Sequence, residues 1–379
     1  TNCRPIMLLE AAFKLLTLHL NDSIQDAWNL RSPIHPFQMG FARGRGTANA
    51  LKIVQLLLET RLTDAQATHV AYLDLASAFC SVPHWATSQA LTRLNVPDWA
   101  VRLMGNIDAG GTTQVNTAHG TTEAFPEEGG VRQGCLLSPT QFIAWADILL
   151  TWLHKHPPDG INDITVPSSS DGPRHVLHAI FYADDMFLAA SSHRLLQAKL
   201  DMASTFLQHY GVHVNAGKSF YTTTDPAFDP SLRDSAGAPL HAITVFDLHS
   251  MSRESLTLRS PSQAVKYLGI HLSMEGDVRA HTAYLNGKVQ KILAALAASC
   301  WGYEHTATMA KAKLQGLLGY SFHSVTIPAH VIASWHRGLH RVLKHQIHGL
   351  QASDPNQLTA DPTSNGWGAL NIPALQGSV

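Results

Sequence analysis

The stretch HAIFYADDMFLAA, His178 to Ala190, constrains the fold more than any other part of this chain. Two adjacent carboxylates, Asp184 and Asp185, interrupt a run otherwise fit for a buried strand. Buried and unpaired, such groups cost several kcal/mol or neutralise themselves by a pKa shift. A hairpin with HAIFY and MFLAA as its strands puts the pair at the tight end, where an opposite charge can reach it. A third acid, Asp74, closes another short strand, HVAYLDL. If the strands are neighbours, three carboxylates converge and require a cation. Oxygen-only ligands suit Mg²⁺, which keeps waters and binds substrate phosphates beside one or two carboxylates. Two such ions about 3.5–4 Å apart clamp the attacking and leaving oxygens of a phosphoryl transfer. A hairpin turn is also an ordinary home for Asp, so the pair alone leaves both readings open.

The flanking pattern mixes helices with short strands. TANALKIVQLLLETRL reads as a helix capped by Thr47, with Leu51, Val54, Leu57 and Leu58 on one face. SVPHWATSQALTRLNVP reads as a helix opened near Pro83 and closed before Pro97. DAGGTTQVNTAHGTTEAF reads as a hairpin of polar strands. A glycine-rich loop, GGVRQGC, then feeds a long helix with Ser138 as cap and Pro139 at its first position. PPDGINDITVPSSSDGPRH reads as a surface loop, and HRLLQAKLDMASTFLQHYG as a helix stopped by Gly211. Between Thr222 and Pro261 turns alternate with β-prone runs, AVKYLGIHLS is a strand pair, and from Arg279 the chain is mostly helical.

The formal net charge of −1 hides a division. From Arg279 to Gly349 eight Lys and Arg face a single acid, Glu304, so that segment carries +7 and the remainder −8. A basic module beside an acidic one suits a polyanion binder joined to a catalytic domain. Arg337, Arg341 and Lys344 fall on one helix as a phosphate-binding face. His336 and His340 have a spacing that can bind zinc, but no acid or cysteine partner lies nearby. Trp301, Trp335 and Trp367 read as core residues, with stacking on bases the other reading. The four cysteines have neither metal-ligand nor disulfide spacing, which points to a reducing, intracellular compartment. FIAWADILLTWL is too short to span a membrane and carries Asp147. The start at TNCRPI and the stop at NIPALQGSV read like a piece cut from something longer.

AYLDLASAF, GGVRQGCLLSP, FYADD, GVHVNAGKS and VKYLGIHL stand in the order of the palm motifs of reverse transcriptases. RPIMLLEAAFKLL, HPFQMGFARGRGTANAL and GWGALNIP resemble the finger motifs and the segment after the thumb in the non-LTR (LINE-type) retrotransposon branch. The resemblance implies an α+β, right-hand polymerase fold. It divides the chain into fingers at about 1–70, palm at about 71–275, helical thumb at about 276–350 and a tail at about 351–379. A finger insertion falls at about 95–130 and a variable loop at about 220–262. It implies RNA-directed DNA synthesis with two Mg²⁺ ions, for which Mn²⁺ substitutes, and an RNA template, a DNA primer or nicked target DNA, and dNTPs as partners. Oligomeric state is not legible.

Residue by residue, the resemblance implies that Asp74 and Asp184 ligate both metals with the carbonyl of Leu75, and that Asp185 supports them. Phe79 resembles the aromatic gate that excludes a 2′-hydroxyl; a plain core aromatic is the other reading. Gln133 and Gly134 resemble the loop beside the incoming nucleotide, and Arg132 contacts template or triphosphate or is a surface-loop residue. Arg4 resembles a finger arginine near the triphosphate. Lys218 resembles the proton donor to pyrophosphate, or is a solvated loop lysine. Tyr267, Leu268 and Gly269 resemble the primer grip. The departures are Ser77 for the usual lysine, Cys80 for the usual acid, Gly46 for serine and Leu137 at a small-residue or proline site. None removes a metal ligand. They leave room for a rival, a catalytically impaired relic or RNA-binding scaffold, and for an intron-type enzyme of the same family.

Overall fold

The computed structural model describes residues 7–31, 33–127, 129–161, 163–167, 173–229, 231–233, 235, 241–247, 251–346, 359 and 369–377. The chain divides into two units, 1–261 and 262–379.

In the first unit, helices α1 (Ala11–Arg31) and α2 (Thr47–Thr63) precede strand β1 (His69–Ala76). Three helices follow, α3 (Ala78–Ser81), α4 (His84–Arg93) and α5 (Asp98–Ala109). Four two-residue strands come next: β2 (Thr112–Thr113) pairs with β5 (Phe125–Pro126), and β3 (Asn116–Thr117) with β4 (Gly120–Thr121). These are the expected polar hairpin. Helix α6 (Ser138–Lys155) leads to β6 (Thr165–Pro167), β7 (Arg174–Val176), β8 (Ala179–Tyr182) and β9 (Asp185–Ala190). After α7 (His193–His209) come β10 (His213–Val214), β11 (Phe220–Thr223), β12 (Thr244–Asp247), β13 (Ser252–Ser255) and β14 (Thr257–Arg259).

The main sheet runs β14-β11-β1-β9-β8, with β10 pairing the end of β1. Its centre is β1, whose first five residues are all buried. Covered on both faces, such a strand reads as a continuous apolar run rather than an alternating one. Tyr72 is locked there between Phe220 and Phe187, with ring centroids at 4.8 Å and 5.2 Å. Helix α6 is buried almost all round, with Phe142, Ile143, Trp145 and Leu149 fully inaccessible. Each such side chain contributes roughly 1.5–3 kcal/mol of burial. A surface helix would show a single stripe; this one is a core strut between sheet and helices.

Two capping expectations shift by one residue. The N-cap of α2 is Gly46, with Thr47 the first helical residue, and α6 is capped by Leu137, with Ser138 inside. The larger correction concerns the Pro/Ser/Gly stretch before β8. Rather than a plain loop it holds a 3₁₀ turn at Pro158–Gly160 and the β6–β7 hairpin, with Ile164 and Val166 buried. Asp163 holds it down: its carboxylate lies 2.9 Å from the fully buried ammonium of Lys199 and accepts the amides of Ser191 and Ile164. Burial raises the pKa of Asp163, but Lys199 and those amides outweigh it and hold the carboxyl below its usual range.

In the second unit, β15 (Val265–Tyr267) and β16 (Ile270–Leu272) form a hairpin, followed by α8 (Arg279–Ala297), α9 (Tyr303–Phe322), α10 (Ala329–Gln346) and α11 (Ile372–Gly377). The hairpin turns through Leu268 and Gly269, both with positive φ (46° and 83°), the pairing a two-residue primed turn requires. The hydroxyl of Tyr320 donates to the Leu268 carbonyl. Trp335 is buried and donates to Asn286 at 2.9 Å, whereas Trp301 is 46% exposed, contrary to the core reading, and Trp367 lies outside the described residues. Arg337 and Arg341 are exposed on α10 and Lys344 is half-buried. The rings of His336 and His340 stand 4.0 Å apart. Among the described residues no third ligand joins them. No helix among those residues is long and apolar enough to cross a membrane.

Candidate active site

Asp74 is the sixth residue of β1, and the antiparallel register sets it opposite Asp185 at the start of β9. The amide of Leu75 donates to the carbonyl of Asp184 at 3.3 Å, closing the pair of strands at the turn. That turn is two residues, Ala183 and Asp184, and Ala183 adopts φ 54°. A non-glycine residue there costs about 1–3 kcal/mol and persists only where its surroundings hold it. They do. The segment Phe37–Gly40 lies alongside β8: Phe181 donates to the Phe37 carbonyl at 3.1 Å and Met39 to the Phe181 carbonyl at 2.8 Å. Gly40 then presses on the turn so closely that a Cβ would meet the amide nitrogen of Ala183 at 2.5 Å. Only glycine allows that approach.

On the other flank, the turn Asn215–Ser219 clasps β1. Asn215 donates to the Asp74 carbonyl at 2.8 Å, and the Asp74 amide donates to the Ser219 hydroxyl at 3.1 Å. This brings Lys218 Nζ to 3.6 Å from Asp74 Oδ2, both side chains partly solvated.

These elements enclose a cleft of about 390 Å³. Asp74, Leu75, Phe79, Arg132, Gln133, Gly134, Asp184 and Lys218, drawn from four separate sequence motifs, all line it. Phe79 stacks on Phe142 at 4.4 Å with rings 7° from parallel, and meets Phe41 edge-on at 6.0 Å. One face of the ring is packed on the core, and the residue also forms part of the cleft wall. The Gln133–Gly134 loop is pinned by Met7, whose amide donates to the Gln133 carbonyl at 2.9 Å. Gly134 has φ 116° and lies so near the Met7 carbonyl that a Cβ would stand 2.6 Å away.

Two of the expected site residues, Asp185 and Arg132, are placed differently. Asp185 is Asp74's cross-strand partner but is not part of the cleft lining, so two carboxylates face the cleft rather than three. Arg132 is not a surface-loop residue: it is 9% exposed, with its guanidinium held by Asp108 and Glu127. Tyr267, Leu268 and Gly269 belong to the second unit, and Arg4 lies outside the described residues. Gly40, Ser219 and Asp108 were not legible as site residues, since each matters through a partner distant in sequence; Glu127 lies only five residues before its partner Arg132 but carries no motif of its own. For Gly40 the one available signal was its place in the finger-like HPFQMG stretch.

Among the described residues no three His, Cys, Asp or Glu side chains come together as a self-sufficient metal cage. Cys80 and Cys135 also line the cleft, which has no imidazole among its described residues, but the paired carboxylates of Asp74 and Asp184 form a hard oxygen donor set that leaves most positions to water and phosphate. That is how Mg²⁺ is ordinarily held at phosphoryl-transfer sites, so the donor set fits a divalent cation.

A sheet that carries paired aspartates on a central hairpin and a third acid on the adjoining strand defines the palm of a right-hand, template-directed polymerase. The model of the family Reverse transcriptase (RNA-dependent DNA polymerase) matches residues 1–272, and the chain belongs to that family. It is 29% identical over 294 residues to the Pol polyprotein of the type-2 retrotransposable element R2DM of Drosophila melanogaster, covering 76% of this chain and 25% of that one. It is 22% identical over 259 residues to the Pol polyprotein of a type-1 retrotransposable element R2 of Nasonia vitripennis, covering 68% and 23%. The chain thus spans about a quarter of the length of these curated relatives. Solved structures similar to it include apo telomerase from Candida tropicalis (TM-score 0.47, 11% identity, 88% of this chain and 54% of that one). Another is the RNA-dependent RNA polymerase of a human picorbirnavirus (TM-score 0.46, 12% identity, 99% and 60%).

Proposed function

We propose that this chain is the RNA-directed DNA polymerase module of a non-LTR retroelement protein, extending a primer 3′-hydroxyl with dNTPs on an RNA template. The observation that carries this reading is the meeting of Asp74 and Asp184 in one cleft with Phe79, Gln133, Gly134 and Lys218. Asp74 and Asp184, with the Leu75 carbonyl, hold the divalent cations, Mg²⁺ or Mn²⁺, and Asp185 supports them from the neighbouring register position. Bound there, such cations would supply neutralisation of triphosphate charge and activation of the attacking oxygen. Phe79 fills the volume a 2′-hydroxyl would need, which selects dNTPs. Gln133 and Gly134 offer main-chain contact to the nucleotide. Lys218 donates a proton to the departing pyrophosphate. Arg4 serves the triphosphate from the fingers. Tyr267, Leu268 and Gly269 grip the primer, and the exposed Arg337 and Arg341 of α10 meet nucleic-acid phosphates.

The organisation that goes with this is fingers at about 1–70, palm at about 71–275, thumb at about 276–350 and tail at about 351–379. The test is extension of a labelled DNA primer annealed to an RNA template, run beside an RNA-binding measurement. Extension supports the polymerase; RNA binding without any extension in Mg²⁺ or Mn²⁺ supports the scaffold.

A further inference from the structure

Arg132 stands in the wall of the nucleotide cleft, where a guanidinium invites assignment to phosphate. Each of its three nitrogens already donates within the protein. Nε donates to Glu127 Oε2 at 2.6 Å, Nη1 to Asp108 Oδ1 at 3.2 Å, and Nη2 to the Ile107 carbonyl at 3.1 Å. The acceptors are themselves fixed: Gln141 of α6 donates to Asp108 Oδ2 at 3.1 Å, and the hydroxyl of Thr113 donates to Glu127. The hairpin is hollowed to admit the side chain, since a Cβ on Gly111 would lie 2.0 Å from Nη2. One cation shared by Asp108 and the half-buried Glu127 leaves net negative charge while both carboxyls are ionised, a poor host for a triphosphate. Burial pushes the Asp108 carboxyl up, although His84, Arg132 and Gln141 pull it the other way.

The main chain of the same residue continues into the nucleotide loop. The Cys135 amide donates to the Arg132 carbonyl at 3.2 Å, so Gln133 and Gly134 are the residues spanned by that bond. Neither Asp108 nor Glu127 lines the nucleotide cleft. We propose that Arg132 is a positioning residue, which sets Gln133 and Gly134 at the incoming nucleotide by anchoring their loop to Asp108 and Glu127. It makes no contact with the triphosphate. The proposal rests on the reading of the cleft as a dNTP site.

The experiment compares Arg132→Lys, Glu127→Gln and Asp108→Asn with the unaltered chain in single-nucleotide extension, and follows alkylation of Cys135 by iodoacetamide. Cys135 is buried in the same loop, and exposed Cys80 serves as control. All three variants raise the KM for dNTP about tenfold or more, with kcat less affected, because a loop displaced by about 1 Å loses up to 10²-fold. All three also speed alkylation of Cys135 and leave Cys80 unchanged. A KM raised in Arg132→Lys alone, with Glu127→Gln and Asp108→Asn behaving as the unaltered chain, overturns the proposal in favour of a direct contact. If the unaltered chain does not extend a primer, the functional reading fails and the alkylation rates alone decide whether the anchor holds the loop.

Discussion

Asp74 and Asp185 face each other across an antiparallel ladder, and the Leu75 amide is bonded to the carbonyl of Asp184 between them. This register is what brings two distant motifs to one cleft. A slip of one residue would carry Asp74 to the other face of the sheet. The contacts that fix the register are therefore as important to the site as the carboxylates.

Gly40 is the first of these. Gly40→Ala places a Cβ 2.5 Å from the Ala183 nitrogen, a backbone atom that cannot step aside without moving the aspartate turn. We expect about 1–3 kcal/mol of destabilisation, the usual range for overpacking. We also expect primer extension to fall by more than about tenfold. Urea denaturation and an extension assay on the same preparation check both.

Phe79 is stacked on Phe142 but fills part of the cleft wall. Phe79→Val opens that wall and should reduce discrimination against ribonucleotides by about tenfold or more, the scale on which shape selection operates. Competition between dCTP and CTP in single-nucleotide extension reads the ratio. An unchanged ratio would leave Phe79 as a packing residue alone.

The Asp163–Lys199 pair is buried and bonded on both sides, Lys199 donating also to the Ala189 carbonyl at 2.5 Å. Lys199→Met strands the carboxylate and should cost about 3–5 kcal/mol. Denaturant midpoints measure it. Replacing both partners at once should cost less than replacing Lys199 alone, because no uncompensated charge remains.

Acidification acts through the buried histidines. Burial holds His69 and His178, and the half-buried His35, at about 4, below the 6.5 of an unfolded histidine. Between those values the unfolded chain binds more protons than the folded one, so stability falls as pH falls. The melting temperature should therefore drop steadily from about pH 6.5 towards pH 4, followed by circular dichroism. A flat profile across that window contradicts the buried, neutral assignment.

Much of this was legible because it is local. The hairpin around Asp184, the strand pair in AVKYLGIHLS and the helix after the RQGC loop each announce themselves within a dozen residues, through periodicity and turn chemistry. What escaped depends on distance. Nothing near Asp163 foretells Lys199, and a Pro/Ser/Gly-rich stretch hid the alternation of Ile164 and Val166 that pins it to the core. For Arg132 the partners of the guanidinium, Asp108 and Glu127, are set by the fold and not by the loop sequence. Trp301 is exposed although a tryptophan in a helical segment favours burial, and nothing in the second unit explains it.

The most direct test concerns the two cleft carboxylates. In single-turnover extension of a DNA primer on RNA with Mg²⁺, Asp74→Asn and Asp184→Asn should each abolish measurable extension while leaving circular dichroism and melting temperature close to those of the unaltered chain. An Asp184→Asn variant that extends within about tenfold of the unaltered rate would contradict the account, because an interaction used to stabilise the transition state must appear as a loss of rate when removed.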